Sequence, residues 1–341
     1  MSEATTHGRE DLDNHHGLSS SLDPTKQLDR SLKAEVLRSP AGIRDEFRVT
    51  PIDSDETAFR HSGWAVRRRQ THQCLNRIGA SSSRLDRFCN CGSGCCVEVN
   101  DTSGQVRLAA NYCRDRLCVP CGRSRSARVT NALIKESKGR TVRFATFTLR
   151  HSVTPLADQI DRLYRSFAAM KRRSWWRARC TGGAAVLEIK LGREGLWHVH
   201  LHTLLIGRFM EQKQLASEWH AVTGDSYIVD IRKVDTGANA IRYCASYVGK
   251  PVDAGIYESP DKLDETARAL HGRRVINTWG CWAKLELDAD EDEGGNWIVV
   301  GRLSRLLRDA ASGDRAAQMM VRALSSKPRD PIERNLFSPA P

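Results

Sequence analysis

The stretch Trp197-His198-Val199-His200-Leu201-His202 constrains this chain more than any other. Three histidines alternate with apolar residues, and Thr203-Leu204-Leu205-Ile206 follow. A period of two is that of a β-strand, so the imidazoles are predicted on one face and Val199 and Leu201 on the other. Neutral imidazoles two residues apart on a strand can share a divalent metal. A strand whose polar face is merely rich in histidine is the alternative, and the rest of the chain must decide.

The chain carries 53 Lys+Arg against 41 Asp+Glu, a net charge of +12, which favours a polyanionic partner, most often nucleic acid. Its 341 residues allow one large domain or two modest ones. An aromatic content of 6% and a mean hydropathy of −0.49 point to a sizeable solvated share. No apolar run is long enough to span a bilayer, and the first residues do not read as a signal peptide, so a cytoplasmic protein without a membrane partner is expected. Thiols stay reduced there, and 11 cysteines then argue for metal ligation rather than disulfides.

Residues 1–60 read as a polar, disordered tail with weak apolar periodicity. Trp64 to Arg87 is basic and fits a helix. Cys89, Cys91, Cys95 and Cys96 follow in a Gly/Ser-rich loop, and then come Cys113, Cys118 and Cys121. The Cys118-x-x-Cys121 pair lets two thiolates reach one tetrahedral zinc from a tight turn. The partners would come from Cys89, Cys91, Cys95, Cys96 and Cys113; Cys91 and Cys113 complete the candidate set. A redox pair is the rival reading, but it wants a strand before it and a helix after it.

Gly122 to Lys138 is a basic amphipathic helix carrying Arg123, Arg125 and Arg128, and Val142 to Arg150 alternates as a strand. Thr154-Pro155 offers an N-cap with proline at the first helical position of a helix to Arg173. Ala184 to Lys190 is a second strand, joined to the histidine strand by the turn Gly192–Gly195 as an antiparallel hairpin. That register brings Glu188 near Val199, His200 or His198, as a carboxylate ligand or as a buried residue with no such role. Glu211–Thr223 is a helix, Ser226–Lys233 a strand, and Asn239–Val248 a helix carrying Tyr243 and Tyr247, with Lys250 just past its end. Positions i, i+4 and i+7 share a helix face, so both phenols and the ammonium can project to one place. Leu263–Leu270 is helical, Arg273–Trp279 and Trp297–Leu303 read as strands, and Gly313–Leu324 reads as a last helix.

A metal on His200 and His202 would offset the charge of a DNA phosphate, and a tyrosine hydroxyl could attack phosphorus to give a covalent phosphotyrosine. A free phenol titrates near ~10 and needs a cation, which Lys250 could supply. Here the chain resembles the HUH endonucleases, whose His-hydrophobic-His motif is matched by His200-Leu201-His202. Within them it is similar to rolling-circle plasmid replication initiators. The ordered counterparts are Cys113–Cys121 with Arg123–Arg128, Phe144–Leu149, His198–His202 and Tyr247-x-x-Lys250, over about residues 110 to 282. Gly272-Arg273-Arg274 resembles a basic patch that follows the tyrosine helix, or is a solvated charge cluster.

The resemblance implies an α+β fold, a central antiparallel sheet of about five strands with flanking helices, plus a small zinc-binding subdomain. The chain is expected to divide into a basic, cysteine-rich zinc- and DNA-binding segment at 61–138, a nuclease domain at 139–285 that the resemblance implies, and an acidic linker and tail at 286–341. Implied cofactors are Mg²⁺ or Mn²⁺ at the histidines, with His198 or Glu188 as further ligands, and structural Zn²⁺. Implied partners are plasmid origin DNA, duplex and single-stranded, and host helicase, polymerase and single-strand-binding protein. Many such initiators carry a glutamate one turn before the nucleophile. Tyr243 stands there instead, as in two-tyrosine enzymes whose phenols alternate. An insertion-sequence transposase of that class, and a non-enzymatic zinc-dependent DNA-binding regulator, are the competing readings.

Overall fold

In this computed structural model, residues 55–192, 194–233, 237–249, 252–287 and 295–325 are described. Lys250 lies outside them. The described residues open with three helices, α1 (Asp55–Arg60), α2 (Ala65–Arg77) and α3 (Ser82–Cys89). The hairpin β1 (Cys96–Asn100) and β2 (Val106–Ala109) follows, then α4 (Val119–Ser137) and β3 (Val142–Thr148). Next come α5 (Leu156–Arg172), α6 (Ser174–Arg177), β4 (Cys180–Leu191) and β5 (Trp197–Gly207). After α7 (Gln212–Thr223) and β6 (Val229–Lys233) lie α8 (Gly237–Gly249), α9 (Ala254–Glu258) and α10 (Pro260–Ala269). The last elements among the described residues are β7 (Ile276–Gly280), β8 (Trp297–Arg302), α11 (Leu303–Ala311) and α12 (Arg315–Ser325).

These elements fall into two compact units. The larger holds a five-stranded sheet in the order β6-β3-β5-β4-β7, antiparallel at every pairing. The fold is therefore α+β, as the alternating strands predict. Strand β5 is central because its outward run, Leu204 to Ile206, is apolar on both faces and is buried on both. Helix α5 presents Leu156, Ile160, Leu163, Phe167 and Met170 at helical spacing, and all five are buried. Its start departs from the expected cap. Pro155, not Thr154, is the N-cap, and no side chain of that turn caps it. Instead Glu265 of α10 accepts a hydrogen bond from the Leu156 amide at 2.7 Å, so a distant carboxylate meets the orphan N–H. Gly183 is required where β4 meets β5. A Cβ there would lie 2.1 Å from the Leu204 carbonyl oxygen.

The smaller unit is a three-stranded sheet, β2-β1-β8, with α11 and α12. Leu303, Leu306, Ala317, Met320 and Leu324 supply buried apolar side chains from those helices. Arg107 pairs with Glu98 at 2.7 Å and lies over the Trp297 ring at 3.8 Å, which ties β2 to β8 across β1. Cys96, read in sequence as part of a Gly/Ser-rich loop, thus begins a strand that pairs with the one expected from Trp297. Helix α1 likewise forms within the stretch read as a tail, with Glu56, Thr57 and Arg60 buried.

Candidate active site and candidate metal centre

Strand β5 carries the histidines into the middle of the sheet. On β3, Thr148 stands opposite His200 and Thr146 opposite His202. On β4, Glu188 stands opposite His200 and Lys190 opposite His198. Directly paired residues share a face, so imidazoles, threonines, carboxylate and ammonium converge on one side. Thr148 Oγ1 lies 3.0 Å from His200 Nδ1, and Thr146 Oγ1 lies 3.2 Å from His202 Nδ1. These bonds orient the rings and leave each Nε2 facing away from β3.

The Nε2 atoms differ. That of His202 meets Glu188 Oε2 at 2.8 Å, and Lys190 Nζ holds the other carboxylate oxygen at 3.0 Å. Burial works against the Glu188 charge, yet His202 and Lys190 hold its carboxyl below the usual range. His200 Nε2 has no such partner among the described residues. Burial, aided by the neighbouring His198, lowers the His200 pKa to about 3. Burial, then the neighbouring His151 and Lys190, lowers that of His198 to about 4. Both rings are therefore neutral at pH 7, the form that ligates metals.

Helix α8 lies over this face. The Tyr247 ring stacks on His202 with centroids 4.1 Å apart and planes 13° apart, and Phe144 lies parallel to His202 at 5.6 Å. Tyr247 Oη donates to Tyr243 Oη at 2.7 Å. Burial, this hydrogen bond and the charge of Glu188 all push the Tyr247 phenol above its ordinary value. With the Lys190 ammonium paired to Glu188, the phenol keeps its proton at neutral pH. Tyr243 is more exposed, at 42%.

The cysteines separate into ligands and bystanders. Sulfurs of Cys91, Cys113, Cys118 and Cys121 all lie within 4.8 Å of one another, and all four residues are buried. Cys91 Sγ is 3.7 Å from Cys118 Sγ and 3.6 Å from Cys121 Sγ, and Cys113 Sγ is 3.7 Å from Cys121 Sγ. A tetrahedron of sulfurs around zinc at ~2.3 Å has edges of about 3.8 Å, so this cluster could hold a structural zinc. Cys118 is the N-cap of α4 and Cys121 lies in its first turn, so the helix dipole favours thiolate there. Hydrogen bonds with the other three thiols pull the Cys91 thiol down. Buried Arg60 reaches Cys121 Sγ at 3.7 Å and supplies positive charge beside the cluster. Cys95 is buried but donates to the Gly92 carbonyl, outside the cluster.

Of the basic candidates, Arg123 lies over the Trp64 ring at 5.4 Å, and Arg125 donates to the Arg114 carbonyl at 3.2 Å. Arg128 sits half-buried on the same helix, α4. That helix packs on the tyrosine helix, where Ser126 Oγ donates to the Ala245 carbonyl at 2.8 Å. Arg273 is engaged by Asp161 through two hydrogen bonds, of 3.1 and 2.7 Å, whereas Arg274 is exposed. Sequence reasoning missed His151, Thr146 and Thr148 as individual site residues. The Thr-Phe-Thr alternation was a signal for the threonines; nothing local marks His151.

A family model described as replication protein matches residues 105–317, a stretch that contains the histidine strand, the tyrosine helix and three of the four clustered cysteines. No curated protein and no solved structure gives a match. The match covers more than half of the chain, and the chain therefore belongs to the replication protein family, as a plasmid replication initiator of the rolling-circle type.

Proposed function

We propose that this protein nicks one strand of plasmid origin DNA by transesterification onto Tyr247, in the manner of an HUH endonuclease. The observation that carries the reading is the Tyr247 ring stacked at 4.1 Å on a ladder histidine, with its hydroxyl held by a second tyrosine. The metal would sit on His200 and His202, with His198 and Glu188 as candidates for further positions. The donor chemistry fits: His200 is neutral with Nε2 uncommitted, and between His202 and Glu188 an ion would replace one proton. A divalent ion held by these residues would polarise the scissile phosphate and offset its charge. Tyr247 then loses its phenolic proton and bonds to phosphorus, while the P–O3′ bond breaks and the 3′-oxygen leaves as a hydroxyl. The link keeps the phosphodiester bond energy, and the free 3′-OH primes the host polymerase, with host helicase and single-strand-binding protein as partners.

Tyr243 would serve as a second nucleophile for termination. Lys250 remains the candidate cation at the end of the helix. Segment 61–138, with its zinc, Arg123, Arg125 and Arg128, would grip duplex DNA beside the nuclease segment 139–285, and Arg274 with Arg273 would border the strand. The test is incubation with supercoiled origin DNA and Mn²⁺ or Mg²⁺. Wild type gives a nicked circle with protein on its 5′ end, and Tyr247→Phe gives none. Nicking by Tyr247→Phe at the wild-type rate refutes the assignment. Activity at element ends in place of a plasmid origin would favour the transposase reading. No nicking with any divalent ion would favour the non-enzymatic regulator.

A further inference from the structure

The register of β3 on β5 changes just beyond the histidine pairs. Thr148 stands opposite His200, but the next bridge joins Ser152 to Trp197. Four steps along one strand match three along the other, so one extra residue is inserted between them. Had the register continued, Arg150 would stand opposite His198. With the slip, His151 does. The deviation is anchored where the Arg150 amide donates to Ser226 Oγ at 2.9 Å.

The consequence is a fourth imidazole on the ladder. The His151 and His198 rings lie 4.1 Å apart, and those of His198 and His200 lie 4.0 Å apart. Two imidazoles on one ion at ~2.1 Å place their centroids roughly 4.6–5.3 Å apart, so each pair needs to open by about 0.5–1.3 Å. Among the described residues neither His151 nor His198 makes a hydrogen bond, so their nitrogens are uncommitted. Glu188 is in the opposite position, with both oxygens taken by His202 and Lys190.

We infer that His151 is a further ligand of the divalent metal, entering beside His198 and His200. This rests on the metal-dependent reading of the histidine face. It extends that reading to a residue 47 positions before the ladder in sequence. The bulge thus has a function: it puts a ligand where an arginine, which cannot bind a cation, would otherwise stand.

The probe is Mn²⁺ alone, titrated into full-length, zinc-loaded protein and followed by electron paramagnetic resonance. His151→Ala should weaken Mn²⁺ binding by about tenfold or more. Pulsed spectroscopy should count one fewer coordinated imidazole nitrogen. His151→Glu, which restores an oxygen donor, should regain part of the affinity. His151 is exposed, so both variants should melt as wild type does. If His151→Ala binds Mn²⁺ like wild type while His200→Ala does not, the inference falls and the metal reading stands. If wild type retains no Mn²⁺, both fall. Equal losses in His151→Ala and His151→Glu with a lowered melting temperature would mean packing, and would also overturn it.

Discussion

Replacing Cys118 with alanine tests the thiol cluster at the residue that opens α4. Cys118 is 2% exposed and caps α4, whose first turn also holds Cys121. A structural tetrathiolate site contributes about 10–16 kcal/mol, so one thiolate in four is worth roughly 3 kcal/mol. That corresponds to a roughly 100-fold loss of zinc affinity. Zinc content by elemental analysis should be one per chain in wild type, and competition against a chromophoric chelator should resolve the weakening. The loss should also loosen α4, because the segment around the cluster buries few large apolar side chains besides Leu75 and Phe88. Protease should then cut between α3 and α4 in the variant and in chelator-treated wild type. Cys95→Ala is the control, since Cys95 is equally buried but outside the cluster, and it should keep its zinc. Zinc lost by Cys95→Ala and kept by Cys118→Ala would refute the ligand set.

Thr148→Val removes the hydroxyl at 3.0 Å from His200 Nδ1 and should weaken Mn²⁺ binding about tenfold, with little change in melting temperature; unchanged affinity would show that the ring is oriented by packing alone. Tyr243→Phe should still form the covalent nicked complex but accumulate it, because the second transesterification is lost; normal turnover in a plasmid replication assay would assign Tyr243 to packing. The Arg273 hydrogen bonds hold the Asp161 carboxyl below its ordinary value, so the pair stabilises the fold above an unfolded pKa of ~3.9 and loses that contribution as pH falls through the lower folded value. Asp161 is 44% exposed, and solvent screening limits the effect to about 0.2–1 kcal/mol. Melting curves of Asp161→Asn should therefore lie slightly below wild type at pH 7 and converge with it in acid.

The histidine strand and the tyrosine helix were legible because their information is local: alternation fixes a strand face, and a four-residue spacing fixes a helix face. The hairpin of β4 and β5 was legible for the same reason, although only the structure chose among the three possible partners of Glu188. It stands opposite His200 on the strand, yet bonds diagonally to His202. The cysteine ligands were half legible. Cys118-x-x-Cys121 announces itself, but Cys91 differs from Cys89 and Cys95 only in which way the chain after α3 turns. The sheet of β1, β2 and β8 was the hardest to read. Its strands are short, and Val99 finds its partner Ile298 only across almost 200 residues of chain. His151 was hidden by a one-residue slip that no periodicity records. The start of α5 misled, because Thr154-Pro155 carries the sequence of a cap while the capping carboxylate comes from Glu265.

The place of β5 in the middle of the sheet has an evolutionary consequence. A strand hydrogen-bonded on both sides cannot shift by one residue without turning all its histidines to the opposite face. A single-residue insertion or deletion inside β5 would thus discard every imidazole at once and expose Val199 and Leu201 in their place. Length change can be absorbed only outside the ladder, at the Gly192–Gly195 turn or at the slip before Ser152. Lineages of this protein should differ in length at those two points and stay rigidly colinear between them.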